Sequence, residues 1–239
     1  RNAMSEVRNA LKQIFVYDSE VKWFVKWCGS LLAHKPERCC LIMYGKKGGN
    51  AKTTLANVLL KIFGAWGVQC RPDMLAPSGK SSSCTPFEME LLYKVLAIFS
   101  EPQKGIKYSS SSLKELSGGD RKKGAAKYKD PVEFDQTAKP MILCNEIPEF
   151  DVIDLALLDR MYILNCVGRY MHNATPEDAA DHIYPRDDSF WSDMTRIRAF
   201  AHLITHEGLD MYMEEGLKKT ENMEKMVRNW HKEMSPFAR

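Results

Sequence analysis

A glycine-rich segment between an apolar run and an amphipathic helix constrains the fold of this sequence more than any other feature. The apolar run Cys39–Tyr44 has the length of a buried strand, and Thr53–Phe63 has apolar residues at helical spacing. The segment between them reads Gly45-Lys46-Lys47-Gly48-Gly49-Asn50-Ala51-Lys52-Thr53-Thr54. A strand, a glycine-rich turn and a helix in this order are typical of a parallel α/β sheet.

A turn of this kind suits a bound phosphate. Its glycines let backbone N–H groups approach an anion, and the start of the helix adds a positive dipole. In this interpretation Lys52 contacts the β and γ phosphates of ATP, and the Thr53 hydroxyl binds Mg²⁺. The residues predicted to bind the nucleotide are Gly45, Gly48, Gly49, Asn50, Ala51, Lys52, Thr53 and Thr54.

The loop departs from the standard phosphate-loop pattern, G-x-x-x-x-G-K-[ST], at two places. Gly45 lies one residue too early, and Ala51 replaces the glycine before the lysine. The alternative to a nucleotide site is a glycine-rich strand-to-helix turn that binds no ligand.

Two further predicted strands end in polar residues. Val95–Phe99 is followed by Ser100 and Glu101, and Pro140–Cys144 is followed by Asn145. Because the carboxyl ends of parallel strands meet at one edge of a sheet, these groups are expected beside the phosphate loop. Glu101 would activate water or support Mg²⁺, and Asn145 would orient the water or contact the γ phosphate. The alternatives are a solvated strand end for Glu101 and a turn-forming role for Asn145.

A short helix over Leu155–Arg160 precedes a fourth apolar strand, Met161–Cys166. Strands separated by helices predict an α/β fold with a central parallel sheet. In a ring of subunits, Arg160 would enter the neighbouring site as an arginine finger. The alternative is an ordinary salt bridge at the end of a helix.

Basic residues are concentrated after a helix predicted to begin at Ser109 and to end at Gly118 and Gly119. A basic hairpin is predicted over Gly124–Phe134, and such a loop suits the phosphate backbone of a nucleic acid. The candidate nucleic-acid contacts are Lys114, Arg121, Lys122, Lys123, Lys127 and Lys129. The alternative is a solvated charged surface.

Composition limits the remaining possibilities. The formal net charge of +3 is too small to establish a nucleic-acid partner. The seven cysteines form no CxxC pair, which argues against a disulfide framework or a zinc site. No apolar run reaches membrane-spanning length and no secretory signal is recognisable, so we expect a cytoplasmic protein without a membrane partner.

The motifs, in their order, resemble those of superfamily 3 helicases, in particular the poxvirus-type primase-helicases of large DNA viruses, phages and mobile elements. They are Gly-Gly-Asn-Ala-Lys-Thr-Thr, Ala-Ile-Phe-Ser-Glu-Pro, Leu-Lys-Glu-Leu-Ser-Gly-Gly-Asp and Ile-Leu-Cys-Asn-Glu-Ile-Pro. The resemblance covers roughly residues 20–165. It implies an AAA+ P-loop NTPase that forms a hexameric ring and hydrolyses ATP to translocate on single-stranded or forked DNA during replication.

The resemblance also implies roles for individual residues. Lys52 and Thr53 match the Walker A lysine and hydroxyl, and Glu101 matches the Walker B acid, which also serves the metal. Asn145 matches the polar sensor and Arg160 the arginine finger. Lys114 and the basic hairpin after it match the DNA-contacting element of the pore.

The expected division of the chain is a tag remnant (1–3), an N-terminal helical segment (4–36), an AAA+ ATPase core (37–170) and a C-terminal helical segment (171–239). In the first segment, Asp18 or Ser19 is predicted to cap a helix. In the last, Phe190–His206 and Met211–Met226 are predicted helices, and Trp191 is predicted to serve packing. Two alternative functions stay open: a non-hydrolysing nucleic-acid-binding or oligomerisation module, and a DNA-loading ATPase that does not unwind duplexes.

Overall fold

The fold is built on a parallel sheet. The computed structural model describes residues 2–77, 86–100, 105, 107–124 and 130–234. The strands are β1 (Cys40–Tyr44), β2 (Gly67–Cys70), β3 (Leu96–Ser100), β4 (Arg121–Gly124), β5 (Val132–Asp135), β6 (Lys139–Cys144), β7 (Met161–Asn165), β8 (Arg169–Met171) and β9 (Ile183–Pro185). Five of them form the central sheet in the order β2-β3-β6-β1-β7, with every pair parallel. The predicted α/β fold class is confirmed.

Helices cover both faces of this sheet. They are α1 (Asn2–Phe15), α2 (Asp18–Ser30), α3 (Lys52–Phe63), α4 (Pro86–Glu90), α5 (Ser110–Gly118), α6 (Leu155–Arg160), α7 (Met194–His202), α8 (Leu209–Glu215) and α9 (Glu221–Met234). Strand residues alternate between two cores: Leu41 and Met43 join one, and Cys40 and Ile42 join the other. Burial on both sides explains why the strands are continuous apolar runs rather than alternating ones.

Helices α1, α2 and α7 form a single layer over one sheet face, whereas α9 packs mainly on the other face. Phe24 of α2 stacks on Trp27 of the same helix and on Phe200 of α7. A Cβ added to Gly29 would lie 2.1 Å from the backbone of Gly208, so α2 crosses the C-terminal π-helical turn Leu203–Gly208 at backbone contact. The N-terminal and C-terminal helical segments are therefore packed against each other as well as against the core.

Most predicted elements of the core are present with small shifts in their bounds, but three local predictions were wrong. The residue before α2 is Tyr17, and neither Asp18 nor Ser19 caps that helix. The predicted helix Met211–Met226 is two helices, separated at Gly216, whose φ of 64° cannot continue a helix. The hairpin formed by β4 and β5 begins at Arg121 rather than Gly124.

The sequence was predicted to contain no apolar run long enough to span a membrane, and the lengths of the helices can be compared with that prediction. Among the residues that the structure describes, none of the helices is both long enough and apolar enough to cross a membrane.

Candidate functional site

The glycine-rich loop lies at the carboxyl end of β1, between β6 and β7. The Gly45 N–H donates to the Cys144 carbonyl at the end of β6, at 3.1 Å. Gly49 and Ala51 both have left-handed backbones, with φ of 77° and 58°, and Ala51 immediately precedes α3. These turns let the chain leave the sheet and enter the helix within seven residues.

The Lys52 ammonium is held at the centre of the loop. Its Nζ donates to Asn50 Oδ1 and Asn145 Oδ1, both at 2.9 Å, and to the Gly45 carbonyl at 3.2 Å. The side chain is buried, and Asn50 is itself fixed by donation to the Lys47 carbonyl at 2.7 Å. The structure thus joins the loop of β1 to the polar residue after β6, as the sequence predicted.

Gly45, which was predicted to bind the nucleotide, is buried beneath the loop and is not among the residues that line the cavity described below. A Cβ at this position would lie 1.9 Å from Asn50 Nδ2 and 3.0 Å from Lys52 Nζ. Gly45 is buried beneath the loop, and its missing side chain makes room for the Asn50–Lys52 hydrogen bond. The backbone approach that a phosphate requires falls to Gly48 and Gly49, which are exposed and line a cavity.

This cavity has a volume of about 400 Å³ and two chemically different walls. The first wall consists of the loop and the strand ends: Gly48, Gly49, Asn50, Ala51, Lys52, Thr53, Thr54, Ser100, Leu143 and Asn145. The second wall comes from both ends of the chain: Ala10, Gln13, Tyr170, Pro185, Arg186, Asp187, Asp188, Phe190 and Trp191. The volume lies in the range of small-molecule and cofactor sites.

Sequence reasoning missed the second wall entirely. Trp191, which was predicted to serve packing, does pack on Phe200 and also lines the cavity. The two walls are joined directly, because the Tyr170 N–H donates to the Gly49 carbonyl at 2.7 Å. No local motif marks these residues in the sequence. Only the packing of α1 and the segment after β7 onto the loop brings them to the cavity.

Ser100 is the cavity residue contributed by β3, and it is oriented by β2. Gln69 Nε2 donates to Ser100 Oγ at 3.1 Å and to the Ile98 carbonyl at 3.2 Å. The Ile98 carbonyl can only accept a hydrogen bond, so the Gln69 nitrogen must be the amide atom that faces it. The same nitrogen therefore also donates to Ser100 Oγ. Glu101, the predicted catalytic acid, lies outside the described residues.

Two thiols lie close to the Lys52 ammonium, but neither is a reactive group. Burial raises the pKa of Cys144 and of Cys166 to about 12, although Lys52 opposes the shift in both. Both thiols therefore stay neutral at physiological pH, and a thiolate nucleophile is excluded at these two positions.

Arg160 lies away from the phosphate loop of its own chain. It immediately precedes β7, at the amino edge of the sheet, whereas the loop lies at the carboxyl edge. Its guanidinium turns back on its own helix and donates to the Ala156 carbonyl at 2.8 Å. No contact between Arg160 and Lys52 is possible within one chain, so any role of Arg160 in the site requires a second subunit.

Each candidate nucleic-acid contact that the structure describes is paired with a carboxylate. Lys114 contacts Asp154 at 2.7 Å, Arg121 contacts Asp135 at 3.4 Å, and Lys123 contacts Glu133 at 3.7 Å. Lys122 pairs with Glu115. Lys127 and Lys129 lie outside the described residues. The cationic surface that the sequence suggested is therefore partly neutralised where the structure describes it.

The basic hairpin lies at the opposite edge of the sheet from the phosphate loop. Gly119, just before β4, approaches Pro36, just before β1, so closely that a Cβ on it would lie 2.2 Å from the proline ring. Asp135 ends β5 and β6 begins at Lys139. The candidate nucleotide and nucleic-acid elements are therefore separated by the length of the sheet.

Comparisons with known proteins agree with this architecture. Residues 43–156 match a family of unknown function (DUF5906). Over 148 residues the chain is 26% identical to "Putative helicase L207/L206" of Acanthamoeba polyphaga mimivirus, a match that covers 61% of this chain and 15% of that protein. The chain thus spans a small part of the relative's length.

Solved structures of the C-terminal region of NrS-1 share the fold. An apo structure superposes with a TM-score of 0.65 at 16% identity, covering 94% of this chain and 50% of that one. An A-form apo structure of the same region superposes with a TM-score of 0.64 at 17% identity, covering 93% of this chain and 50% of that one. The protein is therefore similar in sequence to one viral protein named as a helicase and in fold to the NrS-1 region.

Proposed function

We propose that the protein is the ATP-hydrolysing motor domain of a superfamily 3 helicase, acting on single-stranded or forked DNA as a ring of subunits. The observation that carries the proposal is the position of Lys52. Its ammonium is buried at the floor of a cavity, held by an amide from its own loop and by the amide that follows a neighbouring strand. A cation fixed in this way is suited to bind the β and γ phosphates.

The loop also fits a phosphate chain and a magnesium ion. Gly48 and Gly49 expose their backbone on the cavity wall, and α3 is a twelve-residue helix whose first turn faces the same space. Thr53 and Thr54 are exposed on that turn, and hydroxyl oxygen is a ligand that Mg²⁺ accepts. Mg²⁺ held by Thr53 and Glu101 would neutralise phosphate charge.

Each residue then has a defined task in hydrolysis. Lys52 binds the terminal phosphates, and Asn145 keeps its ammonium in place and contacts the γ phosphate or the attacking water. Glu101 removes the proton from that water. Arg160 of a neighbouring subunit stabilises the charge that develops on the transferred group, an effect of about a thousandfold or more in known cases.

The DNA contacts are assigned to Lys114 and the basic hairpin. The ion pairs at Arg121 and Lys123 are exposed, and exposed pairs contribute only about 0–1 kcal/mol. DNA phosphates can therefore replace the carboxylates at little cost. The mimivirus relative, whose name is that of a helicase, supports this assignment.

Lys52→Ala tests the proposal. The loss of the phosphate-binding cation should abolish ATP hydrolysis, measured as phosphate release with and without single-stranded DNA. Lys61→Ala is the matched control, because Lys61 is an exposed lysine in the last turn of the same helix. Full turnover in Lys52→Ala would reject the assignment.

The same experiment separates the alternative functions. A wild-type protein that binds DNA but releases no phosphate would be the non-hydrolysing module, which the replacement of the usual glycine by Ala51 and the extra residue of the loop favour. Turnover without strand displacement on a forked duplex would identify a DNA-loading ATPase. Particle mass measured in the presence of ATP and DNA tests the hexamer.

A further inference from the structure

The second wall of the cavity is built from aromatic rings that are supported from behind. Trp191 packs on Phe200 at a centroid distance of 5.8 Å, and the Arg196 guanidinium lies 4.4 Å from the Phe190 ring. Tyr170 packs on Tyr184 at 5.9 Å. All three lining rings are half-buried, so one part of each is fixed by packing while another part faces the cavity.

Tyr170 sets the distance between the two walls. Its backbone N–H is bonded to Gly49, while its hydroxyl lies 3.5 Å from the Ala10 carbonyl and 3.4 Å from Gln13 Oε1. The tyrosine side chain thus spans the cavity from the phosphate loop to α1. A ligand with its phosphates on the loop would extend its remaining atoms along this ring.

The cavity is also electrically polarised. Its first wall carries the Lys52 ammonium and the amino end of α3, and its second wall carries two carboxylates, Asp187 and Asp188, against one guanidinium, Arg186. Asp187 accepts from the Ser189 N–H at 2.9 Å and from its hydroxyl at 2.6 Å, and Asp188 pairs with Arg186 at 2.7 Å. Carboxylates at this end repel phosphate and can accept hydrogen bonds from ribose hydroxyls.

We infer that the second wall is the subsite for the base and ribose of a purine nucleoside triphosphate, with the base against Tyr170, Phe190 and Trp191. The inference rests on the proposed function, because it takes the phosphates to lie on the loop. A two-ring base covers more of this wall than a one-ring base does. Gln13 contributes an amide to this wall, and an amide both donates and accepts. It therefore suits adenine and guanine equally.

Binding measurements with four probes test the inference. Isothermal titration with Mg²⁺ present compares ATP, GTP, CTP and inorganic tripolyphosphate on the whole chain. We expect ATP and GTP to agree within about threefold and CTP to bind up to about tenfold more weakly, because a one-ring base stacks on less of the aromatic wall.

Variants of the wall separate base contact from folding. Trp191→Leu should weaken ATP about tenfold and leave tripolyphosphate unchanged, whereas Trp191→Phe should keep most of the ATP affinity. Met194→Leu, at an exposed position just outside the cavity, is the control. A substitution that merely disturbed folding would weaken ATP and tripolyphosphate together.

Two results overturn the inference, and they differ from failure of the proposed function. Equal affinities of wild-type protein for ATP and CTP, or an unchanged ratio of ATP to tripolyphosphate affinity in Trp191→Leu, would remove the base from this wall while the phosphate site stands. Tripolyphosphate binding that persists in Lys52→Ala would instead reject the phosphate site, and the base subsite with it.

Discussion

Ala51 gives the phosphate loop a backbone conformation that glycine adopts more easily. Its φ of 58° and ψ of 7° place it in the left-handed region, at a cost of about 1–2 kcal/mol for a residue with a Cβ. Ala51 stands where the standard phosphate-loop pattern has glycine, and glycine adopts this left-handed backbone without the cost of a Cβ. The replacement of glycine by alanine therefore costs stability.

Ala51→Gly should consequently stabilise the protein by up to about 1 kcal/mol, because relief of the left-handed strain exceeds the extra entropy of glycine in the unfolded chain. Urea unfolding measures the change. Ala156→Gly is the control, because Ala156 has an ordinary helical backbone on the exposed side of α6. Its free energy of unfolding should fall by about 1 kcal/mol. A loss in both variants would show that Ala51 is not strained.

Asn145 is the residue through which β6 acts on the phosphate loop. Replacing it by alanine removes one of the acceptors of the Lys52 ammonium and the amide that we propose contacts the γ phosphate or the attacking water, so ATP turnover should fall at least tenfold with little change in KM. Steady-state kinetics measure both constants. Asn57→Ala, at an exposed site on α3, should leave them unchanged. An effect on KM alone would make Asn145 a binding residue.

At the scale of elements, the hairpin formed by β4 and β5 holds its cations next to carboxylates in register. Arg121 faces Asp135, and Lys123 faces Glu133. If the cations contact DNA, the double variant Glu133→Gln and Asp135→Asn should raise affinity for single-stranded DNA, since it removes competing anions. Arg121→Ala with Lys123→Ala should lower affinity and reduce the salt dependence by about two counterions. Fluorescence anisotropy at several salt concentrations distinguishes these results from no effect.

Strands with a continuous apolar run were predictable, and strands without one were not. Strands β1, β3, β6 and β7 are continuous apolar runs, whereas β2 is a four-residue edge strand, partly exposed and with little apolar pattern. Strands β8 and β9 are three residues each and pair only with one another. The site divides in the same way: most of the first wall is one contiguous motif, but the second wall depends on packing between distant segments.

At the scale of the whole molecule, Lys139 joins the sheet to the helical layer. It is buried at the start of β6, donates to the Ser30 carbonyl at 2.7 Å and lies 5.8 Å from the centre of the Tyr212 ring. Removal from water lowers the pKa of this lysine to about 8, against the attraction of Glu37. The charged form of Lys139 is therefore less stable in the folded protein than in water, and this lowers the free energy of unfolding at neutral pH.

This lowered pKa has a testable effect on stability. Above about pH 8 the folded protein loses the Lys139 proton while the unfolded chain keeps it, so the free energy of unfolding should rise with pH. Relative to Lys139→Met, the wild type should gain about 2 kcal/mol between about pH 7.5 and 9.5. The comparison removes the contributions of tyrosines and cysteines, which both proteins share. Parallel pH profiles would show that Lys139 titrates normally.

Strand β6 joins Asn145 at one edge of the sheet to the hairpin at the other, and its six residues are all buried. Only residues 136–138 separate it from β5, and Gln136 is tied to the Leu116 carbonyl at 3.4 Å. The strand spans roughly 20 Å and has a hydrogen-bonded neighbour on each side, so it cannot lengthen or slide alone. The hairpin is therefore expected to keep a constant distance from Asn145 and the glycine-rich loop. If the protein is the ring motor proposed above, movement of the hairpins along DNA would have to come from rotation of whole subunits past one another.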